Sequence, residues 1–326
     1  MSSEMPDKAL KILNTPILPG QSITLSLDIA RLHTHTKIEV PIIVERAKKE
    51  GPCLLLLAGI HGNEVNGVEI VRRIVAGKYN KPQRGMVICV PVLNVFGFLN
   101  QTREFPDGRD LNRFFPGSKT GSLASRFAWN FMKHIVPHID YCIDFHTGGA
   151  SRFNYTQLRI DRDKTECLDL AKTFGARFII YAPHRDKSFR QSAGNQGKTV
   201  LLFEGGKTLH LDRAVTQSGI EGTIRVMHHL GLRDFSKEIA GFAKIPKPIL
   251  VKKSSWVRAK YSGMFRSALK TATKVHKGDI IGTITDPFGK FQSKVKAPWD
   301  GYILATNHHP IVNQGHALVH LSEEIG

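Results

Sequence analysis

The chain has 326 residues, four cysteines, and 46 Lys and Arg against 28 Asp and Glu, a formal net charge of +18. That length supports one large and one small folding unit with ample apolar core, and its longest apolar run, residues 53–60, is far too short to span a membrane. The charge alone would suggest nucleic acid, but no block of five or six cations and no aromatic interleaving accompanies it; a positive field spread over the molecule better fits a small anionic substrate.

In chain order, residues 9–50 alternate apolar and polar around Ile23–Leu27 and Ile38–Val44, which predicts antiparallel edge strands. Cys53-Leu54-Leu55-Leu56-Leu57-Ala58 is then uninterrupted and bounded by Pro52 and Gly59, as suits a strand covered on both faces. It runs into Gly59-Ile60-His61-Gly62-Asn63-Glu64, a histidine and a carboxylate three residues apart at a strand's carboxyl end, where ligands of open α/β sheets gather. A helix over about 66–76 and a strand over 86–90 follow. Residues 103–113 are too rich in turn formers and charges for a buried element and read as a functional loop. After a helix near 123–135, Tyr141-Cys142-Ile143-Asp144-Phe145-His146 repeats the apolar run with a histidine at its end, and glycines turn the chain away. A helix near 165–174 and a strand at 177–181 precede Thr199–Phe203, which ends in Glu204-Gly205-Gly206; a helix over 216–230 follows. Alternating strands and helices predict an α/β fold, a mostly parallel or mixed sheet with helices on both faces.

Three strands thus deliver ionisable residues to one sheet edge. Imidazole and carboxylate are the ligands of catalytic zinc, so His61, Glu64 and His146 are candidate metal ligands and Glu204 the carboxylate that takes a proton from water. On its own His-x-x-Glu fits a solvated turn better than a metal site; its coincidence with two more strand ends favours the metal site. In the loop, Asn112 beside Arg113 suits bidentate capture of a carboxylate, against the plainer reading of Arg113 as a surface charge paired with Asp110. The four cysteines form no Cys-x-x-Cys pair and read as buried thiols.

In their order, Gly59–Glu64, Gly108–Gly117, Asp144–Gly149 and Phe203–Gly206 resemble the succinylglutamate desuccinylase and aspartoacylase family, relatives of the zinc carboxypeptidases. The resemblance implies one zinc on His61, Glu64 and His146, with Glu204 as general base and later proton donor. It implies Arg103 polarising the scissile carbonyl, with Arg109 bracing the loop, and Asn112 with Arg113 holding a substrate carboxylate. Arg190 stands roughly where the family places an arginine that contacts an acidic side chain, although its spacing to Glu204 is longer and an exposed helix arginine fits as well. Arg152, Asn154, Gln157 and Arg159 are further candidates for the pocket wall, with nothing in their spacing to select one.

Near Lys244-Ile245-Pro246-Lys247-Pro248 the pattern changes to short strands and turns, which divides the chain into a catalytic domain, 1–245, and a small β domain, 246–326. The latter resembles a barrel-sandwich hybrid that caps and narrows the active-site entrance. Lys290 has the spacing of a lipoyl-bearing lysine but lacks the acidic or methionine neighbours of such carriers. His308, His309, His316 and His320 read as surface or core residues, since no carboxylate or thiolate shares their spacing. The resulting expectation is a zinc-dependent hydrolase of the amide bond of an N-acetylated or N-succinylated, acidic amino acid. A zinc carboxypeptidase acting on short glutamyl peptides is the alternative, and a non-enzymatic nucleic-acid module the third reading. Met1–Glu4 lack a basic, apolar start, so the expected location is the cytoplasm. Neither nucleic acid nor membrane is an expected partner, and a homo-oligomer is compatible with the sequence.

Overall fold

The computed structural model describes residues 10–31, 35, 37–162, 164–245 and 247–326; Met1–Glu4, and Pro246 of the linker, lie outside them. A short hairpin, β1 (Leu10–Ile12) and β2 (Thr15–Ile17), leads into β3 (Ser22–Arg31) and β4 (Lys37–Arg46), which pair antiparallel. Only β3 of this pair is an edge strand, because β4 continues the sheet onto β6 (Arg84–Val90).

The central strand, β5 (Lys49–Ala58), explains its own leucine run. Leu55 and Leu57 pack into a core that includes Phe127 and Phe131 of α3 (Leu123–His134), while Leu54 and Leu56 join Ile70 and Val71 of α1 (Val65–Ala76) on the other face. All four leucines are inaccessible; each contributes roughly 1.5–3 kcal/mol by leaving water. β5 is flanked in parallel by β6 and β7 (Tyr141–Gly148), and β7 by β10 (Thr199–Lys207). Antiparallel to β10 runs β8 (Arg152–Ile160), then parallel to β8 comes β9 (Phe178–Tyr181). α4 (Thr165–Phe174) and α6 (Arg213–His229) pack with α1 on one face; α5 (Phe189–Asn195) joins α3 on the other. α2 (Val95–Asn100) lies between β6 and the 103–113 loop, and α7 (Ser236–Ala240) follows α6.

The sheet continues past residue 245. β11 (Ile249–Arg258) adds parallel to β9, and the order runs on through β18 (Ala317–Ile325), β16 (Gly301–Asn307) and β13 (Lys274–Val275) to twelve strands among the described residues, with β16 also pairing β8. β12 (Gly263–Ser267), β14 (Ile280–Thr285), β15 (Gln292–Lys296) and β17 (Ile311–Val312) form a separate four-stranded sheet. All four cysteines are free and buried, and no helix of the described residues is long and apolar enough to cross a membrane.

Candidate active site

The chain leaves β5 through Gly59, whose φ of +65° is the left-handed turn that glycine adopts without strain. His61 and Glu64 follow in a tight turn, Glu64 N–H donating to His61 O at 3.1 Å, and Glu64 becomes the N-cap of α1, where the helix dipole favours a carboxylate. Gly62 is there because the turn lies against the backbone of α2: a Cβ on it would sit 1.8 Å from the Gly97 carbonyl carbon.

His146 arrives at the end of β7 and closes the cluster. His61 Nδ1 lies 2.8 Å from Glu64 Oε1, and His146 Nδ1 lies 3.0 Å from Glu64 Oε2, which also accepts from Thr147 N–H at 2.9 Å. His61 Nδ1 makes no hydrogen bond despite its short distance, and neither do His146 Nε2 and the two Asp144 oxygens. The outer ring nitrogens are backed by carboxylates, His61 Nε2 at 3.1 Å from Asp110 Oδ1 and His146 Nε2 at 3.1 Å from Asp144 Oδ2. Three buried ligand atoms within 4.8 Å, each imidazole with a carboxylate close behind it, is a donor set that fits a divalent metal. No second group of this kind occurs among the described residues.

Burial alone would raise the Glu64 carboxyl and lower His146. The mutual contacts win: His61 and His146 hold Glu64 well below the usual carboxylate range, and Asp144 and Glu64 hold His146 well above the usual imidazole range. Asp110, half-buried, is likewise held low by His61 and Arg103 against the opposing effect of burial.

Arg103 reaches the cluster from its loop, Nη1 donating to Glu64 Oε1 at 3.1 Å and Nε and Nη2 to Asp110 Oδ2 at 3.2 and 2.9 Å. Asn94 fixes that loop: its Oδ1 caps α2 at Gly97 N–H, and its Nδ2 donates to the Arg103 and Glu104 carbonyls. Asp110 therefore pairs with Arg103 and His61 instead of Arg113. Arg109 lies 3.6 Å from Asp107 and over the Phe114 ring. Asn112 is buried, its Oδ1 accepting from Phe189 N–H at 2.8 Å, so its amide nitrogen is the end left for a ligand. Arg113 is exposed and donates to Asn112 O. Arg190 is buried, not an exposed helix arginine; Nη2 donates to the Ala182 and Pro183 carbonyls, and Nη1 has no partner.

Glu204 stands beside His146 in the parallel β10–β7 register and opposite Gln157 in the β10–β8 register. His146, Glu204 and Gln157 thus form one row across three neighbouring strands. Glu204 Oε2 accepts from Asn154 Nδ2 at 2.8 Å, and Oε1 lies 3.9 Å from Arg159 Nε. Burial raises its pKa above the ordinary carboxyl value, with Arg159 and His146 partly opposing.

This geometry has relatives. A model of the succinylglutamate desuccinylase/aspartoacylase catalytic domain matches residues 50–230, which include the whole cluster and Glu204. The chain belongs to that family. Members of the succinylglutamate desuccinylase/aspartoacylase family are amidohydrolases acting on carbon–nitrogen bonds other than peptide bonds. An N-alpha-acetyl-L-2,4-diaminobutyric acid deacetylase from Halomonas elongata is 27% identical over 88% of this chain and 86% of its own. The fold matches a succinylglutamate desuccinylase/aspartoacylase from Rhodobacter sphaeroides with a TM-score of 0.80, at 24% identity over 93% of this chain and 95% of that one. It equally matches the ectoine utilization protein EutE (DoeB) of Ruegeria pomeroyi, with a TM-score of 0.80 at 21% identity over 94% and 98%. Both matches extend beyond residue 245, so the C-terminal strands are part of the shared architecture.

Sequence reasoning did not find Asp144 and Asn94 as supports. Asp144 lies two residues before His146, the strand spacing that places it on the same face, and that signal was available. Asn94 is an isolated polar residue before a six-residue helix, and nothing local distinguishes it from an ordinary cap.

Proposed function

We propose that the chain is a zinc-dependent deacylase that hydrolyses the amide bond of an N-acetylated or N-succinylated acidic amino acid. The observation that carries this reading is the convergence of His61, Glu64 and His146 within 4.8 Å, with Glu204 one strand away. Membership of an amidohydrolase family and the deacetylase activity named for the Halomonas relative support it.

His61 Nδ1, the Glu64 carboxylate and His146 Nδ1 would hold the metal. A zinc ion held by them would supply Lewis acidity, enough to make water a nucleophile near neutral pH and to polarise a carbonyl. Glu204, whose proton affinity burial has raised, accepts a proton from the attacking water and returns it to the departing amine. Asn154 occupies Oε2, leaving Oε1 as the atom that carries the proton. Arg103 presents a guanidinium beside Glu64 and stabilises negative charge on the carbonyl oxygen as the tetrahedral species forms. Asn112 and Arg113 hold the substrate carboxylate so that the amide meets the metal in one orientation. Residues 1–245 carry the chemistry in this reading, and 246–326 narrow the entrance. The delivery of ligands from the ends of parallel strands is also the basis for regarding the catalytic part as zinc-carboxypeptidase-like.

Three measurements test the proposal. About one zinc per chain, with activity lost on chelation, is expected; a metal-free active protein would remove the site. In an activity screen of N-acetyl and N-succinyl aspartate and glutamate beside glutamyl dipeptides, turnover of only the peptides would establish carboxypeptidase action instead. Glu204→Gln should retain zinc and lose roughly 10²- to 10⁴-fold in kcat; near-normal turnover would remove Glu204 as the base.

A further inference from the structure

The four-stranded sheet of the C-terminal region has one face in the core and the other in water. Phe265, Ile281, Ile284 and Val312 point inward and share a buried cluster with Leu318 and Leu321. The residues that alternate with them point outward, and the strand register sets them side by side. Ile311 of β17 stands beside Met264 of β12. Arg266, two residues on from Met264, shares a row with Lys294 of β15 through Thr283 of β14, and Lys296, two residues further along β15, pairs with Ile280. Ile311, Met264 and Ile280 are exposed on that face. The β14–β15 hairpin carries the same surface to its tip. Asp286 Oδ1 accepts from Lys290 and Phe291 N–H at 3.0 and 3.2 Å, which tightens the turn, and Phe288 stands at its end 80% exposed. Phe291 meets the Tyr261 ring edge-on with centroids 5.2 Å apart, and Lys260 Nζ lies over that same ring.

We propose that this face docks on an anionic lipid surface, with Phe288 entering the headgroup layer and the basic side chains meeting lipid phosphates and carboxylates. The surface lies outside the catalytic cluster, and the proposal does not depend on the deacylase reading. Single exposed apolar residues are ordinary, whereas a contiguous apolar patch bordered by charge marks an interaction site. Lys260, Arg266, Lys290, Lys294 and Lys296 lie among these apolar residues, and none of them pairs with a carboxylate among the described residues. The two acids at the border are committed to backbone, Asp286 within the hairpin and Asp279 to His276 N–H. Charge then decides the occupant. A second copy would set like charge against like charge, on a chain whose formal net charge is +18. A polynucleotide supplies anions and stacks on exposed rings, but Ile311, Met264 and Ile280 have no π-face to offer it. A bilayer satisfies every part of the patch: anionic headgroups for the cations, an apolar layer for the aliphatic side chains, and the interface at which aromatic rings settle. The lysines can bury their methylene stems while each ammonium stays among the headgroups. No spanning helix is required, since apolar area and electrostatic attraction act together at the surface. In the sequence these cations never form a block; strand pairing alone gathers them.

The test sediments the full-length chain, supplied with zinc, with vesicles of phosphatidylcholine alone and of an equimolar mixture of phosphatidylcholine and phosphatidylserine. Binding to the mixed vesicles should be at least roughly tenfold tighter and should fall as salt is raised. Lys290→Gln, Lys294→Gln and Lys296→Gln combined remove three charges and should weaken it roughly 100-fold, about fivefold for each. Phe288→Ser should weaken it roughly tenfold or more. These side chains are exposed and lie outside the catalytic site, so thermal unfolding and zinc content should stay at wild-type values. Phe288→Trp supplies a readout that does not depend on affinity: its emission should shift to the blue on mixed vesicles, as for a ring leaving water. Absence of binding to the mixed vesicles, equal binding to both compositions, or binding that neither the lysine substitutions nor Phe288→Ser moves overturns the proposal. Retention of polyuridylate without vesicle binding would assign the face to nucleic acid. A dimer that Met264→Glu disperses, again without vesicle binding, would assign it to a second copy. Either of these results overturns the proposal as well.

Discussion

Gly62→Ala is the substitution for which the structure predicts the largest effect from a single carbon. The added Cβ would lie 1.8 Å from the Gly97 carbonyl carbon and 2.1 Å from Phe98 N, against ordinary contact beginning near 3.4 Å. Relief needs a displacement of about 1.6 Å, the difference between the two carbon distances, and both partners are backbone, so no side chain can swing aside. One side of that contact carries His61 and Glu64; the other is α2, whose cap Asn94 holds the Arg103 loop. Overpacking of this kind costs roughly 1–3 kcal/mol, a fall in Tm of about 1.5–4.5 °C at this chain length. Displacing candidate ligands by an ångström or more should cost on the order of 10²-fold in activity, with a parallel loss of zinc affinity. Gly197→Ala is the matched control: φ is +78° there, but nothing lies within 4 Å of the added carbon. It should cost about 1–2 kcal/mol of backbone strain and leave zinc affinity and turnover at wild-type values. Thermal unfolding by circular dichroism, zinc competition against a chromophoric chelator, and kcat measured on both variants decide the matter. The reasoning is refuted if Gly62→Ala loses no more zinc affinity than Gly197→Ala.

Asp144→Asn removes the negative charge 3.1 Å behind His146 Nε2 and should weaken zinc binding roughly 10- to 100-fold; an unchanged dissociation constant would detach Asp144 from orienting the ligand. Asn154→Ala deletes the hydrogen bond to Glu204 Oε2, an interaction with the charged form of a carboxyl that burial already raises. Losing it disfavours the carboxylate, so the acid limb of kcat/KM should move to higher pH by roughly one to two units, and a limb that stays put or moves down would contradict Glu204 as the titrating base. Truncation after Ile245 strips β11 from β9 and β16 from β8 and exposes Phe178 and Ile180, which pack against Val251 and Leu304. The fragment 1–245 should aggregate through its opened edge, and a monomeric, cooperatively folding fragment would refute this account.

The residues legible in the sequence share one property: each ends a strand that is apolar on both faces. Such strands can lie only in the middle of a parallel sheet, so His61, His146 and Glu204 had nowhere to converge but its carboxyl edge. β8 escaped for the opposite reason. Its residues Arg152, Asn154, Gln157 and Arg159 give it the composition of a solvated segment, and only its antiparallel insertion between β10 and β9 turns that polar face inward. His320 was obscured in the same way, because its burial depends on the pairing of β18 with β11 and on the stack with Trp256, contacts between distant parts of the chain. After residue 245, β12, β14, β15 and β17 form a four-stranded sheet of their own, whereas β11, β16 and β18 extend the central sheet, a continuity that no local pattern encodes.

The same face of the sheet changes character along its rows. One row passes from Leu57 through Asp144, Leu202 and Arg159 to Ile180. The next, toward the carboxyl edge of β7, runs from His146 through Glu204 and Gln157 to Phe178. Apolar packing therefore bounds the polar patch on β5 and again on β9, and the patch occupies β7, β10 and β8. Two inter-strand steps span roughly 10 Å. Core stability cannot account for buried Gln157 and part-buried Arg159 within that width, since apolar residues at those positions would leave no polar atom without a partner. A width of that order accommodates an acyl group and one amino acid between the metal ligands and Arg159. The extent of the polar patch, independently of its chemistry, thus favours a small N-acyl amino acid over an extended peptide as the substrate.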